Sequence, residues 1–325
     1  MILNMKRFSF IIALNLLSIC LFAQVKNDSI FSESEIILKT STGDIYGTLA
    51  IPHNVKISPV VLIIEGSGPT DRDGNNTFGL NTNVYKMISE SLAKNGISSI
   101  RFDKRGVGES KQAMTSESDL RFETYINDVV LWIESLKFDR RFSKIYFLGH
   151  SEGSLVGMIA AEHTNTSGFI SIAGAGKSAD KILQEQLKTK LPPLLLDESN
   201  KILDSLKNGK TVSNVNPSLV SLYRPSVQPY MISWIKCDPA KEIGKLKIPV
   251  LIIQGTMDLQ VPVNDSKLLS AANTSAKLLI IENMNHTLKE SDSDIQKNMA
   301  TYNNPDLPLK EGLADDIVNF INNTN

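Results

Sequence analysis

Cysteine is scarce: two in 325 residues, Cys20 and Cys237. Cys20 falls in the leader described below, so its removal leaves Cys237 without a partner and excludes an intrachain disulfide. No C-x-x-C pair and no H-E-x-x-H occurs, and neither a metal nor a cofactor is expected. Neither sign of charge dominates, with 34 Lys and Arg against 35 Asp and Glu and no dense basic stripe. That balance removes the electrostatic reason for a nucleic-acid partner. Internal repeats and low-complexity tracts are also missing, which excludes a solenoid. What is present is 42% hydrophobic composition over 325 residues, enough to bury a large core in one big α/β domain with an insertion, or in two domains.

The first residues are not expected to belong to that core. Lys6 and Arg7 precede an apolar run, 8–22, that closes at Ala23, the pattern of a secretory signal peptide spanning residues 1–23. The run is too short and too abruptly ended for a membrane span, so export to the periplasm or the medium without stable membrane insertion is expected. Ile19 occupies the position where a lipidation signal at Cys20 would require a small residue.

Two β-branched runs, 35–40 and 45–51, flank Ser41-Thr42-Gly43-Asp44 and predict a hairpin at the antiparallel edge of a sheet. The run 59–64, P-V-V-L-I-I, is continuously apolar, as in a strand covered on both faces; 97–102, 144–148, 169–173, 248–253 and 277–281 repeat it. Helical periodicity falls between them at about 83–95, 122–137, 152–163 and 264–271, with a last helix near 309–321. This alternation predicts an α/β fold: a twisted, mostly parallel sheet with helices on both sides. From 177 to 246 the rhythm breaks. Leucines at helical spacing (Leu183, Leu187, Leu191) are interrupted by Pro192-Pro193, Pro217, Pro225 and Pro229, which predicts a helical cap between the core segments 24–176 and 247–325.

Within the core, Gly149-His150-Ser151-Glu152-Gly153 links a strand to a helix in the pattern G-x-S-x-G. In a nucleophile elbow the serine occupies a strained turn, and the glycines let strand and helix approach where a Cβ would clash. Ser151 is therefore the candidate nucleophile. A serine hydroxyl needs a base, itself oriented by a third group. His286 follows the strand 277–281 and Asp258 follows 248–253, both at carboxyl ends, where open α/β sheets gather their sites. His286 is the expected base and Asp258 the acid that orients it; His53, His150 and His163 read as surface or packing histidines. Acyl transfer also needs N–H donors for the oxyanion. Glu152 supplies one from the helix start, and Ser67, in Glu65-Gly66-Ser67-Gly68-Pro69 after the strand 59–64, is the expected other.

The order Ser151, Asp258, His286 is that of α/β-hydrolases, and the chain resembles this superfamily. More narrowly it resembles secreted bacterial carboxylesterases and serine aminopeptidase-like hydrolases over about 35–320. Besides the three residues, the resemblance rests on Gly66-Ser67-Gly68-Pro69-x-Asp71-Arg72-Asp73-Gly74, on Arg101-x-Asp103-x-Arg105-Gly106-x-Gly108-x-Ser110, and on Pro249-Val250-Leu251 leading to Gly255-x-x-Asp258. Many of these enzymes carry His-Gly before the oxyanion donor; here Glu65 precedes Gly66, which leaves the hydrogen bonding of that loop open. Asp103 and Arg105 resemble a structural network of the family and are given no catalytic role.

Two patterns imitate other chemistries. Gly174-Ala175-Gly176-Lys177-Ser178 lacks the earlier glycine of a phosphate loop, since Ser171 stands there. Asp71, Asp73 and Asn75 open like a calcium loop, yet Asn76 and Thr82 occupy the positions that need Gly and Glu. The expected activity is hydrolysis of a small carboxylic ester through an acyl-enzyme. The alternatives are an exopeptidase, with Glu65, Glu152 or an acid of the cap holding a free amine, and a noncatalytic binding protein on the same fold. Acyl specificity and oligomeric state are not readable from the sequence.

Overall fold

The structure, a computed structural model, describes residues 29–324, so the expected leader lies outside the described residues. Its strands are β1 (Phe31–Thr40), β2 (Gly43–Pro52), β3 (Ser58–Ile64), β4 (Ser98–Phe102), β5 (Phe142–His150), β6 (Gly168–Ile172), β7 (Val250–Gly255) and β8 (Lys277–Ile281). They form one sheet in the order β1-β2-β4-β3-β5-β6-β7-β8. The pairs β1–β2 and β2–β4 are antiparallel and all the others parallel, as the hairpin and the apolar runs predicted.

Alternation along the strands sorts the core into two layers. Val60, Leu62 and Ile64 of β3 point to one face, where they meet α2 (Phe122–Leu136), through Phe122 and Trp132, and α3 (Glu152–Glu162), through Val156. Val61 and Ile63 point to the other, against Tyr85, Ile88 and Leu92 of α1 (Val84–Lys94) and Leu313 and Ile317 of α11 (Leu313–Asn323). β8 has the same apolar composition but is an edge strand: Ile280 is 38% exposed. The opposite edge, β1, carries Glu33, Glu35 and Lys39, charges that discourage pairing with another chain.

Between β6 and β7 the chain runs through α4 (Ala179–Lys188), α5 (Pro193–Lys207), α6 (Val220–Tyr223), α7 (Gln228–Ile235) and α8 (Pro239–Lys245). Leu187, Leu203, Leu206, Leu219, Tyr223 and Met231 give this stretch an apolar cluster of its own. Pro193 and Pro239 begin α5 and α8, where a missing N–H costs nothing. Ile243 of α8 and Leu246 after it turn back to the sheet's core. The remaining helices are α9 (Val263–Ala272) and the short α10 (Ile295–Ala300); Asp294 caps the latter by accepting from the N–H groups of Gln296 and Lys297.

Candidate active site

After β3 the chain builds β4 on one side and then returns to build β5 on the other, so the carboxyl ends of β3 and β5 flank a topological switch point. The loop after β3 carries Ser67; the turn after β5 carries Ser151. Ser151 has φ 55° and ψ −120°, a strained backbone for a residue with a Cβ. Its N–H is tied to the carbonyl of Ile172 at 2.9 Å, which holds the turn against β6. A Cβ on Gly149 would strike the carbonyl of Gly153, and one on Gly153 the carbonyl of Ile64. Both glycines are thus required for α3 to start so close to β3 and β5.

Asp258 and His286 come from the neighbouring ends of β7 and β8 and meet at 2.8 Å, Nδ1 to Oδ2. The Asp258 side chain is 1% exposed. Its Oδ1 accepts from the N–H groups of Gln260 (2.7 Å) and Val261 (2.9 Å), and its Oδ2 also accepts from Gln254 Nε2 at 3.0 Å. Burial alone would raise the carboxyl's pKa, but the His286 ring and those two N–H groups outweigh it and hold the pKa below the ordinary carboxylate value. An ionised carboxylate only accepts, so the proton sits on His286 Nδ1 and the lone pair is left on Nε2. The two loops are also laced through their backbones, Met257 N–H to Met284 O at 2.9 Å and Thr256 N–H to Ile281 O at 3.1 Å. Asn285 shapes the loop that carries His286: its Oδ1 accepts from the N–H groups of Thr287 and Lys289.

Ser151 and Ser67 stand where two cavities meet. One, of about 210 Å³, is also lined by Gly66, His150 and His286. The other, of about 280 Å³, has Glu152 beside them and apolar walls from Leu155, Leu183 and Trp234. His286 and Ser151 share the first without a hydrogen bond between imidazole and hydroxyl. Among the described residues no protein acceptor takes the N–H of Ser67 or of Glu152, so both remain available to a ligand.

Of the surface and packing readings open for His150, the structure takes the packing one. The residue is buried, and its ring bridges two loops: Nδ1 lies 2.9 Å from the Tyr85 hydroxyl and Nε2 lies 2.9 Å from the carbonyl of His286. Burial, then the nearby His286 ring, push its pKa down to about 3, so it is neutral. His53, by contrast, is exposed against the Ser29 carbonyl, and His163 is an exposed residue ending α3. The loop around Glu65 also acquires its hydrogen bonding. The N–H of Gly66 donates to the Tyr85 hydroxyl at 3.0 Å, and Lys104 Nζ donates to the Gly66 carbonyl at 2.5 Å. Tyr85 and Lys104 are not legible from the sequence because their partners are far away along the chain, and Gln254 and Asn285, though they bond within a few residues, belong to no recognisable motif.

The Asp and Arg motifs build scaffold. Arg72 pairs with Asp103 at 2.7 Å, Arg101 with Asp73 and Glu33 at 2.7 Å each, and Arg105 holds Asp128 by two contacts of 2.6 Å. In the calcium-like stretch, Asp71 Oδ1 accepts from Asp73 and Asn75 N–H groups, and Asn75 Oδ1 from those of Thr82 and Asn83. In the phosphate-loop imitation, Gly176 N–H donates to Asp265 and Lys177 is paired with Glu185, so these two donors are already engaged.

A family model described as serine aminopeptidase, S33, matches residues 78–232, a stretch that contains Ser151 but neither Asp258 nor His286. Esterase EstD of Thermotoga maritima is 29% identical over 249 residues, covering 74% of this chain and 57% of EstD, so the chain spans little more than half of that relative's length. Est1E of Butyrivibrio proteoclasticus superposes with a TM-score of 0.57 at 17% identity, over 89% of this chain and 99% of that one. The esterase Pf2001 of Pyrococcus furiosus superposes at 0.55, also at 17% identity, over 90% and 92%. At such identities the two structures speak for the fold. By its sheet order, its strand-to-helix turn at Ser151 and these neighbours, the chain has the α/β-hydrolase fold and resembles esterases of that fold.

Proposed function

We propose that the chain is a serine hydrolase that cleaves carboxylic esters through an acyl-enzyme. Ser151 Oγ attacks the ester carbonyl while His286 Nε2 takes its proton. Asp258 keeps the imidazole in the required tautomer and stabilises the imidazolium. The N–H groups of Ser67 and Glu152 receive the oxyanion. His286 then gives the proton to the departing alkoxide oxygen, and water, deprotonated by the same ring, releases the acid and restores Ser151 Oγ–H. The observation that carries this reading is the Asp258–His286 pair, whose imidazole lines the cavity that Ser151 also lines. The missing Ser151–His286 bond fits a site without substrate, since such contacts often tighten only in the Michaelis complex. Ser151→Ala should lower turnover of p-nitrophenyl butyrate by a factor on the order of 10⁶ with the thermal midpoint unchanged. Substantial residual turnover would overturn the proposal.

The family description at 78–232 favours a second reading, exopeptidase action on aminoacyl amides by the same residues. Aminoacyl p-nitroanilides cleaved faster than the ester would select it. The basic-then-apolar leader at 1–23 supports export, with catalysis in the periplasm or medium; cell fractionation of the tagged full chain tests that.

A further inference from the structure

The two cavities at Ser151 divide a substrate between them. Resting on the mechanism proposed above, His286 must reach the leaving oxygen, so the alcohol lies on the His286 side, in the cavity of about 210 Å³. The acyl group then enters the cavity of about 280 Å³, which His286 does not line. Its walls are mostly apolar, and the exception beside the nucleophile is Glu152. Glu152 is 7% exposed, and neither carboxylate oxygen has a hydrogen-bond partner in the protein. Glu152 lines this cavity and also a small one shared with Glu65 and Lys104. Tyr230 is near enough to influence their ionisation, but its buried hydroxyl makes no hydrogen bond. A buried carboxylate left without donors is costly, and a donor brought by a ligand relieves that cost.

The charges around Glu152 decide what kind of donor fits. Lys104, itself buried, acts on both Glu152 and Glu65. Burial pushes Glu65 up to about 8, so at neutral pH it keeps its proton; burial raises Glu152 as well, and the Lys104 ammonium acts against that rise. Lys177, which also lines the cavity, is paired with Glu185 at 2.7 Å. The Lys104 cation acting on Glu152 disfavours a second cation, such as an ammonium group, beside it. We infer that this cavity selects acyl groups with an apolar body and one neutral hydroxyl, which donates to the Glu152 carboxylate.

The test uses p-nitrophenyl esters in matched sets of three, in which the acyl chain bears a methyl, a hydroxyl or an ammonium group at the same carbon, moved stepwise along the chain. Hydrolysis of the unsubstituted ester, abolished in Ser151→Ala, establishes the mechanism separately from the specificity. At one chain position the wild type should prefer hydroxyl to methyl by roughly 10- to 100-fold in kcat/KM, the range for a hydrogen bond to a charged group. The hydroxyl should also exceed the ammonium there. Glu152→Met should bring the hydroxyl-to-methyl ratio to about one or below, and Glu152→Gln, which keeps the shape, should lower it several-fold; either keeps the backbone N–H at 152. Circular dichroism identifies which variant is folded for the comparison. No hydroxyl preference at any position, an unchanged ratio in the folded variant, or preference for the ammonium ester would overturn the inference.

Discussion

The imidazole Nε2 of His150 lies 2.9 Å from the backbone carbonyl of His286. A carbonyl only accepts, so Nε2 carries the hydrogen and Nδ1 accepts from the Tyr85 hydroxyl, whose oxygen in turn accepts the N–H of Gly66. Two side chains thereby connect the backbone before Ser67, the expected oxyanion donor, to the backbone of the expected base. His150→Phe fills the space and removes both bonds. Small displacements of reacting groups can cost about 100-fold, and kcat for an ester should fall about 10- to 100-fold, with slower labelling of Ser151 by a fluorophosphonate. An unchanged kcat would mean that the loops hold their positions without this bridge.

The same residue gives stability a dependence on pH. His150 stays neutral in the fold until about pH 3, whereas in the unfolded chain it takes up its proton near 6.5. The unfolded state therefore binds more protons across that interval, and stability rises with pH through it. This contribution is fully present above 6.5 and is lost progressively as the pH falls towards 3. Between pH 6.5 and 4 the thermal midpoint of the wild type should fall more steeply than that of His150→Gln. Parallel pH profiles for the two proteins would contradict the assignment.

Gly153→Ala places a methyl group against the carbonyls of Ile64 and Glu65, so α3 and β3 must move apart. A loss of about 3 kcal/mol or more is expected from overpacking against rigid backbone, read by urea denaturation. Gly209→Ala is the comparison: a Cβ there meets nothing within 4 Å, but φ is +74°. That strain alone should cost about 1–2 kcal/mol.

Asp128→Ala leaves Arg105 buried without its carboxylate partner, since the Asp128 and Arg105 side chains are only 3% and 9% exposed. Removing one member of a buried pair costs about 3–5 kcal/mol. Denaturant midpoints should show that loss. An Asp128→Ala protein as stable as the wild type would place the burden of this region on Thr42 and the Ala113 carbonyl, which also accept from Arg105.

Local physics accounts for what was legible along the chain. β3 is apolar at nearly every position because helices cover both its faces, and that leaves a run no amphipathic segment would contain. The steric reason for Gly149 lies within five residues, since a Cβ there would meet Gly153, whereas that for Gly153 lies against Ile64 and Glu65 of a distant segment. Asp258 and His286 could be picked out because each closely follows an apolar strand. α10 escaped notice: at six residues it is too short for a periodic pattern.

The sequence by itself therefore determined the strands, the strand-to-helix turn at Ser151 and the order Ser151, Asp258, His286, all of which depend on neighbours within a few residues or on regular apolar patterning. Only the tertiary structure decided that β8 is an edge despite its apolar composition, because sheet order sets which strand lacks a neighbour. It also decided that His150 bridges Tyr85, 65 residues away, to His286, 136 residues away, and that Glu152 lines a cavity without a partner. Whether a polar side chain is solvated, paired or left facing a ligand depends on which distant segments the fold brings against it, and that information is not local to any stretch of the chain.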